Sequence, residues 1–377
     1  MSRLAVGVNL LYLKPGVVGG SEDYVVRVLD ALDREARDDV ALTLFVNRAT
    51  ADERPTLIAS HDAEVAPMRG DVPPLRIVAE STWLARRTAQ SPLDLVHHVA
   101  NTIPQVRTRP AVVTIHDLQP FVRPHDFGAT KGVYLRARLR AAARRARVVM
   151  TPSEYVRRQV LDRFDLDDER VLTVPAPIVM PALSDADPNG PSSPVPEVAE
   201  PFFLYPAITH PHKNHAMLVR AFARVAADRP DVALVLTGGA GTREDAVRAD
   251  VARRGLGGRV RRLGRIPRPA LDALLGRAAA LTFPSRHEGY GLPVAEAMAL
   301  GCPVLASDAG ALPEVLGDAG VLLDPDDDGA WAEAMLRILD DTALRADLVE
   351  RGRRRAAALT PAETARRAVV AYRRAAG

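Results

Sequence analysis

Residues 283–301 read FPSRHEGYGLPVAEAMALG, and this run brings glycines, acids and a helix start together. The apolar residues 278–283 read as a buried strand, and Pro293 stands where proline is tolerated, in the first turn of a helix expected to reach about Leu300. The segment between them is therefore a strand-to-helix turn. Gly289 and Gly291 permit positive φ and let backbone N–H groups approach a ligand, while the positive end of the helix dipole points at the same spot. Such a turn suits a phosphate. Glu288 precedes the glycines and Glu296 falls on the first turns of the helix. Carboxylates do not bind phosphate, but they accept hydrogen bonds from hydroxyls. A nucleotide sugar, phosphate and polyol at once, uses both features.

Working outward, the same strand-helix alternation fills the chain. Strands are expected at 4–10, 40–46, 93–97, 111–115, 147–150 and 170–174, with helices at 21–36, about 75–88, 131–147 and 153–164. A second series has strands at 202–205, 232–236, 260–263, 304–306 and 321–323, and helices at 215–227, 243–254, 270–277, 328–340, 342–356 and 361–375. Alternation of this kind means parallel sheets wrapped by helices. Between the series, residues 175–201 are rich in proline, serine and aspartate without periodicity, which reads as a boundary. The expected organisation is an α/β fold with a domain at 1–180, a linker at 181–200 and a domain at 201–360. Two such Rossmann-like halves imply a ligand crevice at the carboxyl ends of their strands.

The chain of 377 residues is long enough for two cores, and 47% hydrophobic with 26% charged residues is ordinary for a globular protein. Cys302, the single cysteine, has no internal disulfide partner and fits a reducing cytosol. The apolar run 4–13 is too short for a membrane span and lacks a cleavage site, so a cytoplasmic protein is expected. Net charge is only +3, yet Lys131, Arg136, Arg138, Arg140, Arg144, Arg145 and Arg147 crowd one amphipathic segment. That segment is compatible with peripheral contact to an anionic membrane, with an acidic acceptor, or with a plain solvated face. Nucleic acid is not expected, because no aromatic residues are interleaved for stacking.

Glu288 and Glu296, with GYGLP and EAMA around them and GCPV and ALPEVLGDAG following, resemble the paired-glutamate signature of the retaining glycosyltransferases of family 4, which have the GT-B fold. The resemblance implies two Rossmann-like domains facing each other across a cleft, with the closing helix at about 361–377 crossing back to the first. It also implies transfer of a hexose from a nucleoside diphosphate sugar, with no metal or other cofactor. Glu288, with Gly289, Tyr290, Gly291 and Leu292, is then a donor-binding run, and Glu296 holds the ribose.

Other residues take roles beside these. Gly19 and Gly20, followed by Glu22, form a glycine-rich turn with Ser21 expected as the helix cap. In the resembled family such a loop closes over the donor diphosphate or touches the acceptor. The phrase TIHDL places His116 and Asp117 at a strand end, where a histidine can donate to a hydroxyl or shuttle a proton. The family's active-site His-Asp sits in such a phrase. His97, His98 and Asn101 end another strand, and His98 and Asn101 are expected on the acceptor side; no third metal ligand accompanies the histidines.

His212, Lys213 and Asn214 follow the first strand of the second half, with Lys213 as a clamp on a diphosphate and Asn214 as a helix cap. Family members carry Arg at the place of His212. Arg265 stands where the family's nucleotide base packs. The aspartates at 324 and 326–328 are read as helix caps rather than a metal cluster. The wording YPAITHPHKNH leans toward GDP-mannose over a UDP-sugar, with a glycan, lipid-linked or small-molecule hydroxyl as acceptor. Alternatives are a nucleotide-sugar epimerase or phosphorylase on the same fold, and an inactive polyanion- or membrane-binding protein.

Overall fold

The computed structural model describes residues 2–14, 19–70, 72–178 and 195–377. Contacts divide the chain into two compact units, Met1–Pro177 with Leu359–Gly377, and Ile178–Ala358. The breaks thus fall slightly before the expected 180 and 360. Residues 181–194 of the expected linker lie outside the described residues, and its end is packed: Val198 is buried, and Arg277 donates to the Val198 carbonyl while pairing with Glu200.

The first unit holds seven parallel strands: β1 Leu4–Leu10, β2 Val40–Val46, β3 Asp62–Val65, β4 Leu95–His98, β5 Ala111–Thr114, β6 Val148–Thr151 and β7 Val171–Thr173. Their order is β3-β2-β1-β4-β5-β6-β7. The chain builds outward from β1 to one edge, then returns to the other side through β4. Both faces are covered, so β4, β5 and β6 are buried along their whole length; β5 and β6 read as apolar up to a closing threonine, while β4 carries the buried His97 and His98. β3, DAEV, is an edge strand whose polar-apolar alternation spans only four residues with one small and one larger apolar side chain, too short to stand out in sequence patterning. The helix expected near 75–88 is a longer composite, Pro73–Ala79, a π-helical turn Glu80–Leu84, and Ala85–Gln90.

The closing helix Pro361–Ala376 belongs to this first unit and packs on the helix Gly20–Glu35. Its buried Tyr372 explains the attachment: the ring is fully covered and its hydroxyl lies 2.9 Å from His97 Nδ1, whose Nε2 lies 2.7 Å from Thr114 Oγ1. Thr364 Oγ1 donates to the Pro175 carbonyl at 2.9 Å.

The second unit holds six parallel strands: β8 Phe202–Pro206, β9 Ala233–Thr237, β10 Val260–Gly264, β11 Ala280–Phe283, β12 Val304–Ser307 and β13 Val321–Leu323. Their order β10-β9-β8-β11-β12-β13 again reverses direction beside the first strand. The loops after β8 and β11 therefore diverge around a switch point, the place where open parallel sheets bind ligands. Among the described residues no helix is long and apolar enough to cross a membrane.

Candidate active site

Lys213 and Glu288 come from the two loops at that switch point in the second unit. After β8 the chain makes a short 3-10 turn, Pro211–Lys213, and Asn214 ends it in the left-handed region at φ 59°. Asparagine tolerates that conformation. Its side chain does not cap the helix His215–Asp228, as sequence suggested, but donates to the Pro325 carbonyl at 2.6 Å. The Arg286 N–H donates to the His212 carbonyl at 2.8 Å and joins the two loops. Lys213 Nζ then lies 2.6 Å from Glu288 Oε1, with both side chains only 16% and 14% exposed.

The pair is built from below. Fully buried Tyr205 on β8 donates to the Lys213 carbonyl at 2.6 Å, and the Ser285 hydroxyl lies 3.2 Å from the Tyr205 oxygen. The Lys213 ammonium sits 5.6 Å from the centre of the Phe283 ring. Burial pushes the Glu288 carboxyl up, but the charge and hydrogen bond of Lys213, helped by Ser285 and His212, hold it below its usual range. Glu288 is a carboxylate, and an ammonium that carries three donors has one committed to it.

The helix that follows is Leu292–Ala299, with Gly291 at its N-cap at φ 110°. Glycine is required there, since a Cβ would stand 2.7 Å from Leu312 Cδ2. Of the two glycines expected at positive φ, only Gly291 adopts it; Gly289 does not. Tyr290 and Leu292 are buried, so this run turns its backbone rather than those side chains outward. Glu296 is buried at 5% exposure and paired with Arg268, which also holds Asp272 at 2.7 Å. Arg265 follows β10, exposed and two strands from β8. The aspartates after β13 are all engaged: Asp327 caps the helix Asp328–Asp340, Asp326 pairs with Arg286, and Asp328 pairs with Arg220 and Arg224.

In the first unit, His116 leaves the carboxyl end of β5. Its Nε2 donates to the Val99 carbonyl at 2.7 Å, and burial lowers its pKa in spite of that bond and of Asp117. The ring is thus neutral with its proton on Nε2, leaving Nδ1 as an acceptor. Asp117 accepts from the Gln119 N–H at 2.9 Å. Asn101, in the left-handed region at φ 61°, accepts the His116 N–H on its Oδ1 at 2.7 Å, so it positions His116.

The remaining acceptor expectations need correction. His98 is an interior group at 5% exposure, 3.3 Å from Asn9 Nδ2, because the register sets Asn9 beside it. Glu22 is 2% exposed and paired with Arg54 at 2.5 Å. Gly19, at φ 78°, is the N-cap of its helix and Gly20 the first residue, so Ser21 is not the cap. The rest of that loop, 15–18, lies outside the described residues.

Residues 18–180 match the family model described as Glycosyltransferase Family 4, and residues 192–355 the one described as Glycosyl transferases group 1. The O-antigen chain mannosyltransferase B of Escherichia coli is 30% identical over 69% of this chain and 69% of its own. The chain belongs to the group 1 glycosyltransferases of family 4 type. This glycosyltransferase is also 28% identical to the O-antigen chain mannosyltransferase RfbU of Salmonella typhimurium, over 70% of this chain and 71% of that one. Its GT-B fold is shared with Anabaena HepE, solved with UDP and glucose, at TM-score 0.71 and 19% identity over 97% and 98% of the two chains.

Two site residues of the glycosyltransferase escape sequence reading. Arg268 lies 28 residues from Glu296, with no local signal to join them. Gly310, at φ 65°, lets the loop after β12 lie on Glu288: a Cβ there would stand 2.7 Å from both the Glu288 nitrogen and oxygen, and the Ala311 N–H donates to that oxygen at 3.0 Å. Gly310→Ala is expected to cost about 2 kcal/mol of stability through left-handed strain and contact. It should also weaken donor turnover, because the backbone of Glu288 must give way. Urea unfolding and initial rates check this, and a variant unchanged in both would dismiss the contact.

Proposed function

We propose that this glycosyltransferase moves a hexose from a nucleoside diphosphate sugar to a hydroxyl of a glycan, lipid-linked or small-molecule acceptor, with retention at the anomeric carbon. GDP-mannose is the favoured donor and a UDP-sugar the next. The observation that carries the reading is the Lys213–Glu288 pair beside the Gly291 helix start. Lys213 neutralises the departing diphosphate together with the turn's amides, a preorganised electrostatic contribution. Glu288 accepts from sugar hydroxyls, Glu296 from the ribose, and His116 Nδ1 from a hydroxyl of sugar or acceptor. The bond from the anomeric carbon to the diphosphate oxygen breaks, with its electron pair leaving on the diphosphate. The acceptor oxygen forms the new bond on the same face and passes its proton to that leaving group. The family's paired glutamates support retention, and the two O-antigen mannosyltransferases among its relatives support mannose.

Calorimetric titration with GDP, UDP, ADP and dTDP tests the donor site. GDP is expected to bind most tightly, and Lys213→Ala and Glu296→Ala each to weaken it about tenfold or more. Binding of no nucleotide, or of one that neither substitution affects, removes the basis of the proposal. Product NMR reads the anomeric configuration directly.

A further inference from the structure

The edge of the first unit's sheet opposite His116 carries a depression of about 460 Å³ with unbalanced charge. It is lined by Arg107, Arg145, Arg147, Arg170 and Arg374, with Glu169 as the one carboxylate and a proline and two alanines for the rest. Ala111, at the start of β5, forms part of its wall, about 16 Å of strand from His116 at the other end.

The five guanidinium groups spend their hydrogen bonds mostly on backbone carbonyls, with one from Arg145 to Gln105 Oε1 at 3.4 Å. Arg107 donates to the Arg145 carbonyl and Arg145 to that of Gln105, each at 2.5 Å. Arg170 reaches the carbonyls of Ala143, Arg144 and Ala146. Arg147 reaches the Ala375 carbonyl and, at 3.5 Å, a main-chain oxygen of Gly377, the last residue, and Arg374 reaches the Glu169 carbonyl. No described carboxylate side chain lies within ion-pair distance of any of the five. Elsewhere arginines are commonly paired, as Arg157, Arg262 and Arg268 are.

The carbonyl ends of the helices Ala129–Arg145 and Pro361–Ala376 meet here and account for some of this positive charge. A helix end is complemented by a cation or two, worth about 0.3–1 kcal/mol. Five in one hollow repel each other. Burial lowers the Arg145 pKa, and the charges of Arg107 and of Arg138 on its own helix lower it further. Each guanidinium has five donors, so N–H groups beyond those on the carbonyls face the open depression and can turn to an anion.

We infer that this depression binds a phosphate-rich anion, a diphosphate or a phosphorylated headgroup, at a site separate from the donor loops of the second unit. No aromatic side chain lines it, so a nucleobase is not part of the ligand. The inference does not depend on the proposed donor.

The test is calorimetric titration of inorganic pyrophosphate into the wild type, Lys213→Ala, Arg107→Glu/Arg374→Glu and Arg107→Lys/Arg374→Lys. Binding is expected to persist in Lys213→Ala, to fall about 100-fold in the charge-reversed double variant, and to recover substantially with the lysines, which also exclude misfolding. Absence of binding in the wild type, or binding lost in Lys213→Ala and kept on charge reversal, overturns the inference. Sedimentation with phosphatidylglycerol vesicles, lost in the charge-reversed variant, assigns the phosphate to a lipid. Pyrophosphate binding without sedimentation assigns it to a soluble anion.

Discussion

Lys213→Ala is expected to lower turnover of the donor sugar by about 100- to 1,000-fold, the usual cost of removing one preorganised group facing developing negative charge. The same change should destabilise the fold by about 2–3 kcal/mol, below the 3–5 kcal/mol of a fully buried pair because these side chains keep 16% and 14% exposure. The reason is Glu288. With Lys213 its folded pKa is held low, so the pair contributes stability above the unfolded carboxylate pKa and loses it as pH falls. Without Lys213, burial is left to raise that pKa, and protonation then relieves the strain. The stability gap between variant and wild type should therefore be wide at pH 7 and narrow at pH 5. Adding Glu288→Gln should restore stability but not turnover. If the double variant recovers turnover, or the single one retains it, Lys213 does not bear on the diphosphate.

Acid sensitivity is the second large effect. Burial pushes His97, His98 and His215 down to about 3. Nearby charge adds to it: His98 and His116 act on His97, Arg107 and Arg145 on His98, and Arg262 and Lys213 on His215. All three are neutral in the fold, whereas the unfolded chain protonates them below about pH 6.5. Their stability contribution is full above pH 6.5 and drains as pH falls toward 3, at about 1.4 kcal/mol per unit and per histidine. Asp30 and Glu80, raised chiefly by burial, act in the opposite sense and offset part of it.

His97 and His98 lie in the first unit and His215 in the second, so the histidines act about twice as steeply on the first, near 2.7 kcal/mol per unit before the offset from Asp30 and Glu80, which lie in that same unit. The chain has two tryptophans, Trp83 in the first unit and Trp331 in the second, and single Trp→Phe variants let fluorescence follow each. Urea midpoints at pH 7, 6 and 5 should fall more for Trp83 than for Trp331. Midpoints flat across that range would mean the histidines take protons without unfolding.

The strand-helix alternation, the proline-rich break at 175–201 and the glycine turn after β11 are local patterns of hydrophobicity and backbone freedom, and the sequence alone determined them. From these followed two parallel sheets, a boundary, and Lys213, Glu288 and His116 at strand ends. Strand order could not be read the same way, because outward growth and reversal beside β1 and β8 depend on which strands pair. Only the tertiary structure joined Arg268 to Glu296, Gly310 to the Glu288 backbone, Arg54 to Glu22 across 32 residues and Asn9 to His98 across 89. It also turned His98 and Glu22 from acceptor candidates into interior groups, and Asn101 into the support of His116. The physical reason is that a side chain's type is written in the chain, whereas its partner is set by register and burial, which arise only when distant segments share one core.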